Sequence, residues 1–323
     1  ATSKVFSMQK EMEHNGESPQ NILGCPSQTS LAGRASVCEG CPGQMLCQSQ
    51  GGVDPDQEYI DIRMKPIKHK ILVLSGKGGV GKSTVAALLS QTLARIHKVG
   101  VVDLDICGPS MSKLMGVESQ EIINTQYGWK PLSSPHNGIK VMSVASMLQS
   151  RESSVIFRGP RKTGLIKRFL KDTFWGKLDY LICDTPPGTS DEHLTVVKIL
   201  KSTNPDGAVI VTTPQQVALA TIRKEINFCR KMGLPIIGLL ENMNSFVCPC
   251  CEEVSEIFSS AGVKELANEY GIAFLGTLPI DPRFTSCCEE GSNPLELFPD
   301  SPSVQKLTNL TSQIERIIDT LSD

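Results

Sequence analysis

The sequence predicts an α/β fold, in which helices cover both faces of a mostly parallel sheet, preceded by a cysteine-rich N-terminal arm. Three observations lead to this prediction. From residue 69 onward, short β-branched and aliphatic runs alternate with longer amphipathic stretches. A glycine-rich loop follows the first of these runs. Residues 1–66 differ from the rest, being rich in Gly, Ser, Gln and Pro with almost no apolar periodicity.

The apolar runs predict the strands of the sheet, because each is short, continuous and bounded by polar residues, as buried strands are. They are HKILVLS, VGVVDLD, GIKVMSVA, LDYLICD, GAVIVTT, PIIGLLEN and AFLGTLP. Amphipathic stretches between them, such as STVAALLSQTLARIHK and PQQVALATIRKEINFCRKMG, predict helices, and a final helix is expected over residues 302–321. This alternation favours a parallel sheet, whose ligands bind at the carboxyl ends of the strands.

The N-terminal arm, residues 1–66, is predicted to be a domain distinct from residues 67–323. Its composition cannot bury a hydrophobic core without help, which a metal can supply. The metal ligands would be the four cysteines of the arm, Cys25, Cys38, Cys41 and Cys47.

Composition excludes several classes of function. The 323-residue chain has a formal net charge of -2 and no polybasic block, so it offers no field for a nucleic-acid backbone. No apolar run is long enough to span a bilayer, and the first residues lack the apolar core of a secretory signal. We therefore expect a cytoplasmic protein. In that compartment a clustered set among its 12 cysteines is more typical of metal binding or catalysis than of disulfides.

The sequence GKGGVGKST, residues 76–84, predicts a nucleotide phosphate site. It follows a predicted strand, opens a predicted helix and matches the G-x-x-x-x-G-K-[ST] template. Glycines let backbone N–H groups converge on phosphate, the lysine reaches the β- and γ-phosphates, and the serine hydroxyl binds Mg²⁺. Thr84 is expected to support the first helical turn. The predicted contacts to ATP are Gly76, Lys77, Gly78, Gly79, Val80, Gly81, Lys82, Ser83 and Thr84.

Lys77 is unusual, because the ordinary template has no charge at its second position. A lysine at this position needs an anion that its charge can face. It can face its own nucleotide, a nucleotide bound by a neighbouring chain as an arginine finger does, or solvent.

Two acidic positions follow later strands. Asp184 ends an apolar run, where the acid that supports Mg²⁺ lies in such folds. Asp105 precedes a Gly-Pro turn and is favoured to orient or deprotonate the attacking water, with Asp103 as the alternative. His193 has no second histidine to complete a site, so we expect it to be structural.

The sequence FVCPCC places Cys248, Cys250 and Cys251 within four positions. Four thiolates complete a zinc site or a [4Fe-4S] cluster, so one chain supplies half of a site. The other half can come from the same segment of a two-fold related subunit. Alternatively, Cys38 and Cys41 of the same chain complete a zinc site with Cys248 and Cys251. A disulfide between such close neighbours is strained.

Together these motifs resemble the Mrp/MinD class of deviant P-loop ATPases, and in particular its eukaryotic cytosolic iron-sulfur scaffold branch, the NUBP type. The motifs are GKGGVGKST, VDLDICGPS, FRGPRK (157–162), DTPPGTSDEH, ENM (241–243) and CPCC (248–251). The resemblance implies a P-loop domain that dimerises, with Lys77 acting across the dimer. It also implies that Asn242 reads the adenine base and that Cys248 and Cys251 hold a labile [4Fe-4S] cluster between two subunits.

The resemblance extends to the arm, where the long members of this branch carry a tightly bound [4Fe-4S] cluster on four cysteines. Here these correspond to Cys25, Cys38, Cys41 and Cys47, with 12 residues between the first two where the family usually has 13. Loss of one residue from a loop that only has to close should not prevent ligation. Cys250 occupies a position that is not normally cysteine, which leaves open whether it ligates instead of Cys251.

The expected function is therefore an ATP- and Mg²⁺-binding scaffold that assembles [4Fe-4S] clusters, with slow ATP hydrolysis, and transfers them to cytosolic and nuclear apoproteins. The resemblance implies a homodimer, or a hetero-complex with a shorter paralogue that lacks the arm. The competing hypotheses are a MinD-type spatial-organisation ATPase and a P-loop ATPase with a structural zinc site. The first would need a basic amphipathic C-terminal helix, whereas the final helix here is not basic.

Overall fold

The computed structural model describes residues 34–36, 39, 56–106, 108–147, 159–188, 191–258 and 261–322. The chain divides into two compact units, Ala1–Glu58 and Tyr59–Asp323. The predicted domain boundary at residue 66 stays a prediction. The four cysteines of the arm lie outside the described residues, so their proposed cluster also stays a prediction.

Helices and strands alternate along the second unit, as the sequence predicts. The helices are α1 (Gln57–Met64), α2 (Lys82–Leu93), α3 (Met111–Leu114), α4 (Gly159–Asp172), α5 (Asp191–Lys201), α6 (Gln216–Met232), α7 (Ala261–Tyr270), α8 (Pro282–Glu290), α9 (Pro294–Leu297) and α10 (Pro302–Ser322). The strands are β1 (Ile67–Leu74), β2 (Val99–Asp103), β3 (Ile123–Thr125), β4 (Gly128–Lys130), β5 (Leu132–Ser133), β6 (Lys140–Met142), β7 (Leu178–Asp184), β8 (Gly207–Thr212), β9 (Ile236–Val247), β10 (Val254–Glu256) and β11 (Phe274–Ile280). Each of the predicted apolar runs overlaps one of these strands.

Nine strands of the described residues form one sheet in the order β10-β9-β8-β1-β7-β2-β6-β5, with β11 also paired to β9. The pairs β9–β10 and β5–β6 are antiparallel, whereas the central pairs are parallel. The predicted mostly parallel sheet is therefore confirmed. β3 and β4 form a separate hairpin.

Helices cover both faces of this sheet, as predicted. Alternate residues of the central strand point to opposite faces. Ile71 and Val73 belong to a buried cluster that includes side chains of α2 and α10. Leu72 and Leu74 belong to a second cluster with side chains of α4, α5 and α6. No helix among the described residues has the length and apolarity needed to cross a bilayer.

The parallel register brings the carboxyl ends of three strands together. Val73 of β1 lies beside Asp184 of β7, and Asp184 lies beside Asp103 of β2. The loops that follow these strands therefore leave the sheet at one edge, where ligands of such sheets bind.

We expect Ile71→Ala to lower the free energy of unfolding by about 2–5 kcal/mol, because it leaves a cavity in the centre of the sheet. Ile71 is 0% exposed. Ile96→Ala is the matched control, since Ile96 is 78% exposed and should change stability by less than about 0.5 kcal/mol. Urea denaturation of the two variants measures the difference, and equal losses would contradict this description of the core.

Candidate functional site

The loop between β1 and α2 is shaped by glycines in the left-handed region. Gly79 and Gly81 have φ angles of 79° and 80°. A Cβ on Gly81 would collide with the side-chain amide of Asn242. Gly81 caps α2, and no acidic side chain lies in the first turn of that helix. The N-terminus of α2 is therefore free to favour an anion with its backbone N–H groups and dipole.

A cavity of about 300 Å³ lies over this loop. Its wall includes most of the predicted nucleotide residues, together with residues from the loops after β2 and β7. The lining residues are Ser75, Lys77, Gly78, Gly79, Gly81, Lys82, Ser83, Thr84, Asp105, Gly108, Ser110, Leu114 and Pro187. The structure thus places a phosphate-binding loop in the wall of a cavity at the carboxyl edge of the sheet.

A buried ion pair joins the start of α2 to the end of β7. Lys82 Nζ lies 2.5 Å from Asp184 Oδ1, and the two side chains are 6% and 0% exposed. Lys82 Nζ also donates a hydrogen bond to Ser83 Oγ at 3.4 Å. Burial raises the pKa of Asp184, and the charge and hydrogen bond of Lys82 oppose this shift. The pair lets both charges remain in a nearly dry environment.

Asp184 and Ser83 fit the donor chemistry of Mg²⁺. The second carboxylate oxygen of Asp184, Oδ2, has no hydrogen-bond partner among the described residues. Ser83 is half-buried and lines the cavity. A hydroxyl and a carboxylate are the oxygen donors that this ion prefers.

Asp103 and Asp105 lie in different environments. Asp103 is 1% exposed and accepts hydrogen bonds from the backbone N–H groups of Asp105, Ser110 and Met111, each at 3.2 Å. The Ser143 hydroxyl also donates to it, at 3.0 Å. Burial and the nearby Asp184 carboxylate raise the pKa of Asp103 to about 7. Asp103 therefore fixes the loop after β2.

Asp105 lies in the wall of the cavity, where its Oδ1 accepts a hydrogen bond from the N–H of Gly108 at 3.3 Å. The choice of Asp105 over Asp103 as the residue that orients the attacking water stays a prediction.

Lys77 and Asn242 lie on different sides of the loop. Lys77 Nζ lines the cavity and donates to Gln215 Oε1 at 3.3 Å, just before α6. Asn242 is 7% exposed, and its Nδ2 donates to the carbonyl of Val80 at 2.9 Å. Asn242 thus supports the loop from behind. Its predicted contact with adenine and the predicted action of Lys77 across a dimer stay predictions.

The last residue of β7 and the four residues after it, here called loop 184–188, lie along the phosphate loop. The Thr185 hydroxyl donates to the carbonyl of Val73 at 2.8 Å, and the N–H of Gly188 donates to the carbonyl of Ser75 at 2.7 Å. Gly188 has a φ of 76°, which favours glycine. This loop is therefore hydrogen-bonded to the end of β1 and to the residue that follows it.

The cysteine motif forms the tip of a β-hairpin between β9 and β10. Val247 pairs with Val254 where the strands meet. The N–H of Cys248 donates to the carbonyl of Glu253 at 3.0 Å, and the N–H of Glu252 donates to the carbonyl of Cys248 at 2.9 Å. β10 was not predicted from the sequence. Its three residues, VSE, are all exposed and are too few to show the apolar pattern of a strand.

The three thiols of this tip are free and accessible. Cys248 is half-buried, whereas Cys250 and Cys251 are exposed. The backbone N–H groups of Cys251 and Cys250 donate to the Cys248 sulfur and lower its pKa. A turn that stabilises a thiolate prepares it as a soft-metal ligand. Both neighbouring thiols are also within reach of Cys248, so the choice between Cys250 and Cys251 stays open.

The hairpin tip is an incomplete ligand set. Within the residues that the structure describes, no group of three or more His, Cys, Asp and Glu side chains is arranged to hold a metal ion. The exposed thiols fit the chemistry of half of a shared cluster site. The zinc alternative needs Cys38 and Cys41, which lie outside the described residues.

His193 is a residue whose contacts the sequence did not reveal. It is 0% exposed, its Nδ1 lies 3.0 Å from the carbonyl oxygen of Pro186, and its Nε2 lies 3.0 Å from Glu225 Oε1. Its position within DTPPGTSDEH, just after the β7 loop, was the available signal. The carboxylate partner on α6 could not be read from the sequence.

A parallel sheet, a glycine-rich loop with a buried lysine and an acidic residue at the end of the neighbouring strand define a P-loop NTPase of the ParA/MinD class. Residues 66–315 match the model of the ParA family, described as NUBPL iron-transfer P-loop NTPase. The chain belongs to this family.

Solved structures agree with this assignment. The nucleotide-binding protein of Archaeoglobus fulgidus, in complex with ADP, is 39% identical, with 73% of this chain and 91% of that chain covered and a TM-score of 0.64. The cell division ATPase MinD of Pyrococcus furiosus is 22% identical, with 77% and 99% covered and a TM-score of 0.54. A plasmid partition protein of Borrelia burgdorferi bound to AMPPNP is 20% identical, with 77% and 99% covered and a TM-score of 0.55. The last two likenesses concern the fold.

We expect Cys248 in the reduced, metal-free protein to react with iodoacetamide at pH 7 at least about tenfold faster than Cys288, since the thiolate is the nucleophile. Burial raises the pKa of Cys288 to about 11. Because the pKa of Cys248 is lowered, its rate should reach half-maximum below the ordinary thiol value of about 8.5. Mass spectrometry of timed digests measures both rates. A midpoint at or above the ordinary value would contradict the described turn.

Proposed function

We propose that this chain is an ATP-binding scaffold that assembles [4Fe-4S] clusters and transfers them to cytosolic and nuclear apoproteins. The observation that carries the proposal is the cysteine turn. A P-loop NTPase of an iron-transfer family here presents accessible thiols at a hairpin tip, and backbone amides stabilise one of them as thiolate. Thiolates are the ligands of iron-sulfur clusters.

The phosphate loop would bind ATP. In this proposal Lys82 leaves the carboxylate of Asp184 and binds the β- and γ-phosphates instead. The exchange is possible because the carboxylate and the phosphates are all anions within reach of the same loop. Ser83 and Asp184 would hold Mg²⁺, which neutralises phosphate charge as it does in other P-loop NTPases. Asp105, in the cavity wall, would orient the attacking water, and Lys77 would reach the nucleotide of a neighbouring subunit.

The cluster would be bound between two copies of the hairpin. Cys248 and Cys251 of each subunit would together supply four thiolates, and a site shared across a two-fold axis opens when the subunits separate. Such a site suits a cluster that is meant to be passed on. The arm, with Cys25, Cys38, Cys41 and Cys47, would carry a second [4Fe-4S] cluster, as in the long eukaryotic NUBP-type members.

The partners in this proposal are a second copy of the chain or a shorter paralogue, and the apo iron-sulfur proteins that receive the clusters. In this proposal the chain acts in the cytosol and also in the nucleus. No contact with nucleic acid or membrane is part of the proposal.

Helix α10 does not offer the free apolar side that a membrane contact of the MinD type would need. The apolar side of α10 is buried in the core of the protein, where it packs on α2 and the sheet. The buried side chains are Val304, Leu307, Leu310, Ile314 and Ile318. A helix that binds a membrane surface needs that side free.

We expect Lys82→Ala to reduce ATP hydrolysis by at least about 100-fold and to weaken nucleotide binding, because it removes the cation that faces the phosphates. Lys68→Ala is the matched control, since Lys68 lies on β1 with an exposed side chain. Hydrolysis rates and calorimetric titration with ADP measure the two effects. Equal activity of the two variants would overturn the assignment of the phosphate site. The iron bound by the arm should be unchanged.

We expect anaerobically purified protein to hold roughly six irons per chain, four in the arm and half of a shared four, with matching acid-labile sulfide and the mass of a dimer. The double variant Cys248→Ser, Cys251→Ser should lose about two irons per chain. Cys288→Ser is the control, because Cys288 is a half-buried free thiol on α8. About one zinc with little sulfide on a monomer would instead indicate a structural zinc site, and the cluster function would be withdrawn.

A further inference from the structure

Two buried side chains, a histidine and a glutamate, meet behind the loop that follows β7. His193 of α5 and Glu225 of α6 are both 0% exposed. His193 Nε2 lies 3.0 Å from Glu225 Oε1, an ion-pair distance, although the approach is not aligned as a hydrogen bond. The ring of Phe228 packs edge-on against the imidazole, with the ring centroids 4.8 Å apart. Placing a carboxylate in such a dry position is costly unless a cation or a proton accompanies it.

The carbonyl of Pro186 fixes the orientation of the His193 ring. His193 Nδ1 lies 3.0 Å from the carbonyl oxygen of Pro186, which can only accept a hydrogen bond. Nδ1 therefore carries hydrogen and donates it. Nε2 faces a carboxylate oxygen, which also only accepts unless it is protonated. The contact at Nε2 therefore places Glu225 of α6 against the same ring that binds the carbonyl of Pro186.

Pro186 belongs to the loop that contacts the nucleotide cavity. Pro187 lines the cavity, and the N–H of Gly188 donates to the carbonyl of Ser75 at 2.7 Å. Loop 184–188 is thus held by the phosphate loop on one side and by His193 on the other.

Helix α6 also contacts the phosphate loop. Gly76 packs so tightly on Thr221 of α6 that a Cβ on Gly76 would lie 2.7–2.9 Å from atoms of Thr221. Lys77 Nζ donates to Gln215, the residue that caps α6. One helix therefore contacts the phosphate loop directly and contacts loop 184–188 through His193 and Glu225.

We propose that His193, paired with Glu225, is a positioning residue that fixes loop 184–188 to helix α6, so that the bound nucleotide determines the position of α6 and α6 in turn holds the loop for ATP hydrolysis. The inference rests on the proposed function, because it takes ATP as the nucleotide. His193 does not touch the reacting atoms. It acts through the backbone of Pro186, and a ligand that moves this loop biases the helix by its difference in affinity for the two positions.

The test compares His193→Gln and Glu225→Gln, and their combination, with His69→Gln in the full-length protein. His69 provides a control of the same kind, because it is buried and its Nδ1 lies 2.8 Å from Oδ1 of the half-buried Asp206. His69 lies near the start of β1 and Asp206 directly precedes β8, away from the strand end that carries the phosphate loop. All these variants lose a histidine–carboxylate pair, and only those at His193 and Glu225 lose the contact between loop and helix.

We expect His193→Gln and Glu225→Gln to lower kcat for ATP hydrolysis by about tenfold or more, with KM changed by less than about threefold, because binding contacts remain while the loop is released. The double variant should be no slower than the slower single variant, since both remove one interaction. His69→Gln should lower Tm by a similar amount and leave kcat within about twofold of wild type. If His193→Gln does not fold, Glu225→Gln carries the comparison, because it preserves the size of the side chain.

Amide hydrogen exchange of α6 supplies the second readout, measured with ADP and with AMPPNP. We expect wild-type α6 to exchange at different rates with the two nucleotides, and this difference to disappear in His193→Gln and Glu225→Gln. Wild-type protein that hydrolyses ATP but shows equal exchange would overturn the inference and leave the proposed function standing. A loss of kcat in His69→Gln equal to that in His193→Gln would also overturn it. Wild-type protein that binds no ATP would overturn both.

Discussion

The buried ion pair between Lys82 and Asp184 is the interaction on which the nucleotide site depends. Lys82 begins α2 and Asp184 ends β7, so their contact fixes the phosphate loop against the neighbouring strand. Either charge alone in so dry a position would cost about 3–5 kcal/mol. Thr185 and Gly188, which follow Asp184, donate hydrogen bonds to the carbonyls of Val73 and Ser75, and these bonds join the same two segments.

In the proposed function the same pair would link nucleotide binding to metal binding. If a phosphate bound Lys82, Asp184 would lose the cation that neutralises it, and Asp103 lies beside Asp184 in the sheet. The pKa of Asp103 is already raised by burial and by Asp184. Two adjacent buried carboxylates favour a cation, which in the proposed function a divalent metal that arrives with the nucleotide would supply. In that function the site would bind the metal and the nucleotide together.

The sequence predicts those parts of the molecule that are local in the chain. The strands and the phosphate loop follow from short patterns, since a buried parallel strand and a glycine-rich turn each need only neighbouring residues. The partner of a buried charge depends on tertiary packing, so the contact of Lys82 with Asp184 and that of His193 with Glu225 could not be predicted. Asn242 illustrates the same limit, because its amide supports Val80 through a fold contact that no motif encodes. β10 was missed because three exposed residues carry no apolar pattern.

The hairpin that carries the cysteines also forms an edge of the sheet, which has a consequence for how the protein behaves in solution. β10 pairs with β9 on one side, and its other side is the end of the strand order. Val254, Ile257 and Phe258 are 43%, 47% and 36% exposed along this segment. An open edge with apolar side chains invites a strand of another molecule, whereas like charges oppose it. Two exposed glutamates of the hairpin, Glu253 and Glu256, therefore oppose such pairing by like-charge repulsion, which high salt screens.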